Sequence, residues 1–161
     1  MNEFERRFLD VAQNSAYLAS ALRQDAKVVG IDYFAYNKRL GTVAVPLANN
    51  SVTTDTIQIQ SDSDFVLSYI SASTLDAAGA IMANGSSALL QLTDTGSGKT
   101  FYSEATQFGL VTGSNGFPFL LPAPRRISPN VNIKIDFTNL QGAALGGFFL
   151  SLHGARVYYA G

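Results

Sequence analysis

The chain has no cysteine, no tryptophan and a single histidine among its 161 residues. Without cysteine it forms neither disulfide bonds nor a zinc site with thiolate ligands. With His153 alone, no pair of imidazoles exists to share a metal ion. We therefore expect no metal and no cofactor. A hydrophobic core must supply the stability, and apolar residues, at 47% of the chain, are plentiful enough to build one.

Charged residues are also scarce. They make up 14% of the chain, against about 25% in typical soluble domains. The 11 basic and 12 acidic side chains nearly cancel, so no overall field attracts nucleic acid or an anionic membrane. A free monomer normally keeps more charge on its surface for solubility. The low charge therefore predicts a protein that covers part of its surface with neighbouring subunits.

Long apolar runs are missing as well. No window approaches 18 consecutive apolar residues, so we expect no transmembrane helix. The first residues, MNEFERRF, are charged and precede no apolar run, which is unlike a signal peptide. We therefore expect synthesis in the cytoplasm and no association with a membrane.

The first part of the chain differs in composition from the rest. Residues 1–42 are rich in charge, and the apolar residues within 3–24 recur at a period of roughly 3.6, which predicts a helix. Residues 30–52 are predicted to be irregular. Two interpretations of the helix stay open: it packs on its own domain, or it lies on another subunit. An apolar stripe outside a β-rich body favours the second, so we predict an N-terminal, partly helical arm over 1–42.

Residues 43–161 have the pattern of an all-β domain. The segment VNIKIDFTNL alternates apolar and polar residues, which is typical of a half-buried strand. Strand patterns of this kind are separated by clusters of Gly, Asn, Ser and Asp, which predict an antiparallel β-sandwich. The last strand, 148–159, is apolar on both faces near its start, which predicts a central position. The four prolines of FPFLLPAPRRISP exclude a central strand there.

One short stretch resembles a phosphate-binding loop. GSGKT supplies Gly98, Lys99 and Thr100 of that motif, but the position of its first glycine is Thr93. A phosphate-binding loop also leaves a strand and enters a helix, whereas β-forming residues follow here. We therefore predict a hairpin turn at this position and no nucleotide binding.

The other candidates for chemistry are isolated. His153 lies within a predicted strand, where a packed or interface histidine is the favoured interpretation; a catalytic serine-histidine pair is the alternative. Asp62 and Asp64 have the chemistry for a calcium site. A solvated turn at the start of a strand is the favoured interpretation. The sequence holds no catalytic constellation, so we predict that the protein is not an enzyme.

Two features favour contacts with other subunits. Tyr33, Phe34 and Tyr36 form an aromatic cluster, which predicts packing within the protein or between subunits. Arg125 and Arg126, on an extended proline-rich segment, suit paired contacts to carboxylates of a neighbour or an internal ion pair. These alternatives stay open.

The stretches SDSDFVLSYISA, LLQLTDTGSGKTFYS and LPAPRRISPNVNIKIDFTNLQGAALGGFFLSLHGARVYY carry a resemblance. Over residues 55–159 the chain resembles the small β-sandwich virion proteins of tailed bacteriophages, in particular capsid decoration (cement) proteins. The resemblance implies a jelly-roll-like sandwich without enzymatic activity, present in many copies on the surface of the phage head. It also implies an arm that reaches neighbours, to which Phe4, Phe8 and Leu9 would belong.

The predicted partners are the major capsid protein and other copies of the chain, as a dimer or trimer, with synthesis in the bacterial host cytoplasm. Alternatives are a head–tail or tail component of the virion and a carbohydrate-binding β-sandwich module, against which the absence of tryptophan counts. The candidate interface residues are Phe4, Phe8, Leu9, Tyr33, Phe34, Tyr36, Arg125 and Arg126.

Overall fold

A computed structural model of the protein describes residues 16–82, 87–112 and 119–160. Its helices are α1 (Ala16–Ala19) and α2 (Phe108–Thr112). Its strands are β1 (Val28–Leu40), β2 (Val52–Gln58), β3 (Asp64–Leu75), β4 (Ala88–Asp94), β5 (Lys99–Thr100), β6 (Thr106–Gln107), β7 (Leu120–Ile127), β8 (Asn132–Asn139) and β9 (Gly147–Tyr159). The predicted all-β sandwich is confirmed, because two antiparallel sheets pack face to face.

The connectivity is that of a jelly roll. One sheet has the strand order β1-β9-β3-β7 and the other β2-β8-β4-β5, with β6 also paired to β4. Each early strand pairs with a late one: β1 with β9, β2 with β8, β3 with β7, and β4 with β5 and β6. A long antiparallel ribbon folded over on itself in this way distributes its strands between two sheets, as in jelly-roll proteins.

The core lies between the sheets and follows the alternation read from the sequence. Ile133, Ile135 and Phe137 of β8 are fully buried, while the residues between them are partly exposed. Phe148 of β9 stacks on Phe137 across the core, with ring centroids 4.2 Å apart. The predicted central position of β9 is confirmed, since it lies between β1 and β3. The proline-rich β7 is an edge strand, also as predicted.

A bulge in β3 changes which side chains face outward. Leu67 pairs with Gly154 of β9 and Tyr69 pairs with His153, so Ser68 is the extra residue. A Cβ atom added to Gly154 would collide with the carbonyl oxygen of Val66. The close approach of β3 and β9 at this point therefore requires glycine.

The predicted boundary between arm and body is wrong. Residues 28–40, assigned to the arm or to irregular structure, form β1 and pair with β9 along their length. Phe34, Tyr36 and Leu40 of β1 pack in the main core. The sandwich therefore begins at residue 28 rather than 43.

The end of the N-terminal segment packs on its own sandwich. Leu18 and Ala21 are buried against Val66, Tyr69 and Val157, on the outer face of the β1-β9-β3-β7 sheet. Leu18 lies in α1 and Ala21 in the turn that follows it. For these residues the interpretation of packing on their own domain is correct, although the helix is shorter than predicted. The candidates Phe4, Phe8 and Leu9 lie outside the described residues. Within the described ranges, no helix is long and apolar enough to cross a membrane.

Candidate functional site

The GSGKT stretch is a hairpin, as predicted. It connects β4 to β5, with Asp94 paired to Lys99. The Asp94 carboxylate accepts hydrogen bonds from the backbone amides of Gly96 and Ser97, at 2.9 and 3.1 Å. Gly98 supplies a positive φ of 67°. A strand rather than a helix follows, so no helix amides point to a phosphate here.

Asp62 and Asp64 do not form a paired carboxylate site. Asp64 is 1% exposed and accepts two hydrogen bonds from the Arg23 guanidinium, both at 3.0 Å. Asp62 is exposed and lies 3.4 Å from the Arg156 guanidinium. Among the residues that the structure describes, no three His, Asp or Glu side chains are grouped to hold a metal ion. Asp64 serves as a buried anchor for Arg23.

Arg23 fastens the N-terminal segment to the sandwich. Its guanidinium holds Asp64 and also lies 5.1 Å from the ring centroid of Tyr159. Its backbone amide donates to the Tyr159 hydroxyl at 3.0 Å. The hydrogen bond to Asp64 and the charge of that carboxylate raise the pKa of Arg23 above its usual range. The segment from Leu18 to Arg23 is thus part of the folded body.

His153 is the centre of a polar cluster on the outer face of the same sheet. Its Nδ1 lies 2.7 Å from the Tyr33 hydroxyl and its Nε2 lies 2.8 Å from the Ser71 hydroxyl. Its ring stacks on Tyr69, with centroids 4.3 Å apart and planes 7° apart. The interpretation as a packed histidine therefore fits the geometry.

The Ser71–His153 contact has the distance of a catalytic pair but not its surroundings. A serine-histidine pair is normally oriented by a carboxylate, whereas the Tyr33 hydroxyl takes that position here. Acyl transfer also uses hydrogen-bond donors, often backbone amides, aimed at a developing oxyanion. The amides of β9 are engaged with β1 and β3 on both sides. The cluster is suited to packing the sheet face rather than to acyl transfer.

The predicted aromatic interface residues are used inside the molecule. Tyr36 is 8% exposed in the core, where its hydroxyl accepts a hydrogen bond from the backbone amide of Gln60 at 3.0 Å. Phe34 is partly buried and lies beneath Arg156, 4.9 Å from the guanidinium carbon to the ring centroid. Tyr33 belongs to the histidine cluster. All three make aromatic contacts within the protein, and their role between subunits stays a prediction.

The two arginines make internal contacts as well. The Arg125 guanidinium lies 4.1 Å above the Phe101 ring and donates to the Thr100 carbonyl oxygen at 3.2 Å. Arg126 is exposed, with its Nε 4.0 Å from the Asp64 carboxylate. Arg126 therefore forms an internal ion pair, which was one of the two alternatives, and Arg125 forms a cation–π contact.

One end of the sandwich carries a shallow polar cleft of about 620 Å³. Gln58, Gln60, Asp62 and Asn130 line it together with Arg156. The Arg156 guanidinium donates to the Gln60 side-chain oxygen at 2.5 Å and contacts Asp62. The cleft thus offers amide and carboxylate groups, while its one cation is already paired within the chain.

The opposite end is apolar, and sequence reasoning did not identify it. Parts of three loops meet there: 41–51 between β1 and β2, 76–82 and residue 87 between β3 and β4, and 140–146 between β8 and β9. We call this surface the apolar end. Its large exposed apolar side chains are those of Val43, Val45, Ile81 and Leu140, and the polar Thr42, Asn49 and Asn50 are exposed there as well. The three loops contain a single charged residue, Asp76.

Contacts between the loops show that they form one surface. Leu47 and Leu145 form an antiparallel bridge between the first loop and the third. The amide of Leu140 donates to the carbonyl oxygen of Ser87 at 2.8 Å, which joins the third loop to the second. Each loop was readable as a turn with at most one charged residue, but the sequence gives no direct sign that the three come together.

Comparisons with known proteins do not indicate a function, so a proposal for one depends on the fold and on these surfaces. No model of a known protein family matches the chain, and no curated protein matches it either.

Proposed function

We propose that the protein is a non-enzymatic structural component of a bacteriophage virion, a decoration protein that stabilises the head shell. It would bind the major capsid protein and its own copies. The observation that carries the proposal is the jelly-roll strand order, β1-β9-β3-β7 over β2-β8-β4-β5. Viral capsid proteins are among the main users of this architecture. Because a fold alone does not determine function, the surface must support the proposal too.

The distribution of side chains supports a role in binding other proteins. The chain has little charge, and the exposed apolar residues of the apolar end lie on neighbouring loops. Depletion of charge is typical of the central part of a protein interface. Burial of apolar area contributes about 25 cal/mol per Å² before ordering costs are subtracted. A modest contact of this kind, repeated over a shell, resists internal pressure through multivalency.

The proposal is tested by co-sedimentation with empty phage shells that lack the protein. We expect saturable binding, with the bound protein in fixed proportion to the major capsid protein. Protein that stays in the supernatant at every concentration would contradict decoration. Binding at only a few sites per shell would instead favour the head–tail or tail alternative.

The polar cleft supports a second candidate function, carbohydrate binding. Lectin domains also use jelly rolls. The amides of Gln58 and Asn130 and the Asp62 carboxylate are groups that hydrogen-bond sugar hydroxyls. A glycan array would test it: a specific signal that is lost in Asp62→Ala supports a sugar site, and a blank array excludes this candidate.

A further inference from the structure

We propose that two copies of the chain pair edge to edge through strand β1, antiparallel about a two-fold axis at Ala35. The pairing would join the β1-β9-β3-β7 sheet of one copy to the same sheet of the other. The inference rests partly on the proposed function, since it names the surface by which the protein binds its own copies. Its test is made in solution without shells.

The first observation is that β1 is a long edge strand without the usual protection against further pairing. It has 13 residues, and among the described residues β9 is the one strand hydrogen-bonded to it. At the opposite edge of the same sheet, β7 carries Pro122 and Pro124, which lack the amides that another strand would need. β1 contains no proline, and its one shift in register lies at its start, between Val28 and Gly30. Such an edge is a template for an added strand.

The second observation is a carboxylate on this edge strand that lacks a cation. Asp32 is exposed, and it forms no ion pair with any residue that the structure describes. Arg156 lies directly opposite Asp32 on β9, but its guanidinium contacts Gln60 and Asp62 instead. The Asp32 carboxylate is therefore available to a cation from another chain.

Pairing about Ala35 supplies that cation. Residues at equal distances before and after the axis lie opposite each other, and Asp32 is as far before Ala35 as Lys38 is after it. Opposite residues of antiparallel strands have their side chains on the same face of the sheet and in contact. Asp32 of each copy thus faces Lys38 of the other, and the two-fold axis forms both ion pairs at once. No like charges meet, because Arg39 faces Ile31.

The charges select this alignment among its neighbours. A two-fold axis that keeps both cores on the same side of the joined sheet moves in steps of whole residues. Centred on residue 34 or 36, the pair would place Lys38 opposite Gly30 or Phe34, and neither charge would have a partner. The axis at Ala35 lies next to the middle of the strand, so residues 30–40 of both copies can pair.

The same features favour a second copy over an unrelated strand. An arbitrary strand would need a cation and an anion at matching positions, whereas β1 itself carries both at the correct spacing. Lys38 is held in place by Asp55 of its own chain, 2.8 Å away, and an ammonium group has three donors to serve two carboxylates. At the axis a side chain meets its own copy, and the small Ala35 leaves room for this contact.

The position of the axis is tested by cysteine cross-linking, which is specific because the chain has no cysteine of its own. Ala35→Cys should form a disulfide-linked dimer under mild oxidation. The Cα atoms of opposite residues lie about 4.5–5.5 Å apart, which a disulfide can span. Val29→Cys, at an exposed position of the same strand, is the matched control. Its two copies would lie roughly 40 Å apart along the paired strands, so it should not cross-link.

The ion pairs are tested by sedimentation velocity over a concentration series. We expect a wild-type dimer. Asp32→Lys should weaken dimerisation about tenfold, because two opposite-charge pairs become two like-charge pairs. Glu104→Lys makes the same change of charge at an exposed position between β5 and β6, and it should leave dimerisation unchanged. Thermal unfolding checks that each variant is folded. If Asp32→Lys does not fold, Asp32→Asn takes its place and should weaken dimerisation less.

Three outcomes would overturn the inference. They are a wild-type monomer throughout the series, a yield of cross-linked Ala35→Cys no higher than that of Val29→Cys, and equal dimerisation of the two charge variants. A wild-type monomer that still co-sediments with shells would refute the pairing and leave the proposed function intact. A dimer cross-linked through Ala35→Cys that ignores shells would do the reverse.

Discussion

Arg23 and Asp64 form a bidentate ion pair in which both nitrogen–oxygen distances are 3.0 Å. The carboxylate is almost completely buried, whereas the arginine side chain is partly exposed. The pair joins the N-terminal segment to the first residue of β3, 41 residues later. It explains why the segment near Arg23 belongs to the body of the molecule rather than to a free arm.

Removing Arg23 should destabilise the fold, because the buried Asp64 would lose its two short hydrogen bonds. We expect Arg23→Ala to lower the free energy of unfolding by about 1–2 kcal/mol, allowing for the exposure of the arginine. Arg126→Ala is the control, since Arg126 is exposed and lies 4.0 Å from the same carboxylate; it should cost no more than about 0.5 kcal/mol. Urea denaturation measures both, and equal losses would show that Arg23 has no special role.

Leu18 should be a second anchor of the N-terminal segment. It is 2% exposed and packs on the outer face of the β1-β9-β3-β7 sheet. We expect Leu18→Ala to cost about 2–3 kcal/mol, as for other buried leucines. Gln24→Ala, at an exposed position in the same segment, should change stability by less than about 0.5 kcal/mol. If Leu18→Ala is as stable as the control, the segment does not pack on the sheet as described.

Gly154 should not tolerate a side chain. Alanine at this position would force β9 away from the β3 backbone beside the bulge, so we expect Gly154→Ala to cost about 3 kcal/mol or more. Gly109 in α2 has open space around it, and alanine is the better helix former, so Gly109→Ala should be neutral or slightly stabilising. Thermal unfolding separates the two. Similar melting temperatures for both variants would be inconsistent with the close approach of the strands.

Asp55 should contribute to the pH dependence of stability. A hydrogen bond from Lys38, 2.8 Å away, and one from the Thr56 amide lower the pKa of Asp55. A lowered folded-state pKa stabilises the fold fully above the pKa of an unfolded aspartate, about 3.9, and the contribution is lost as the pH falls through the lower folded value. Asp55→Asn should therefore cost up to about 0.5 kcal/mol at pH 7, since the pair is exposed, and progressively less below pH 4.

A double-mutant cycle provides the control for Asp55. In a Lys38→Met background, Asp55→Asn should lose most of its effect at pH 7, because the main cause of the lowered pKa is gone. Denaturation curves at pH 7 and pH 3 for the four proteins measure this. A cost of Asp55→Asn that is the same with and without Lys38 would show that the pair does not account for the pH dependence.

The predictable parts of the fold are those in which one face of a strand meets the core and the other meets water. In β8, Ile133 and Ile135 alternate with polar residues, and the alternation matches the burial. The prolines of β7 excluded a central position for a simple reason: they lack the amide that a second neighbour would need. In both cases the residues of the strand itself were sufficient to predict its place in the sheet.

Strand β1 was missed because both of its faces are partly covered in its middle. Phe34 and Tyr36 face the core, while Ile31 and Tyr33 face the cover provided by the N-terminal segment. Apolar and aromatic residues therefore follow one another without the alternation that marks a half-exposed strand. The N-terminal segment is itself recognisable as a cover for this sheet face only once the fold is known.

The apolar end could not be predicted for a different reason. Its three loops are separated by about 25 and 50 residues in the sequence, and each alone is an ordinary turn with at most one charged residue. The jelly-roll connectivity brings them to the same end of the sandwich. Likewise, the histidine cluster depends on the bulge at Ser68, which sets Tyr69 opposite His153 and has no local signature.

The most direct test of the proposed virion role is quantitative mass spectrometry of purified particles of a phage whose genome encodes this sequence. A decoration protein should be present in a fixed ratio to the major capsid protein and should remain with tail-less heads. Absence of the protein from purified particles would contradict the assignment to the virion.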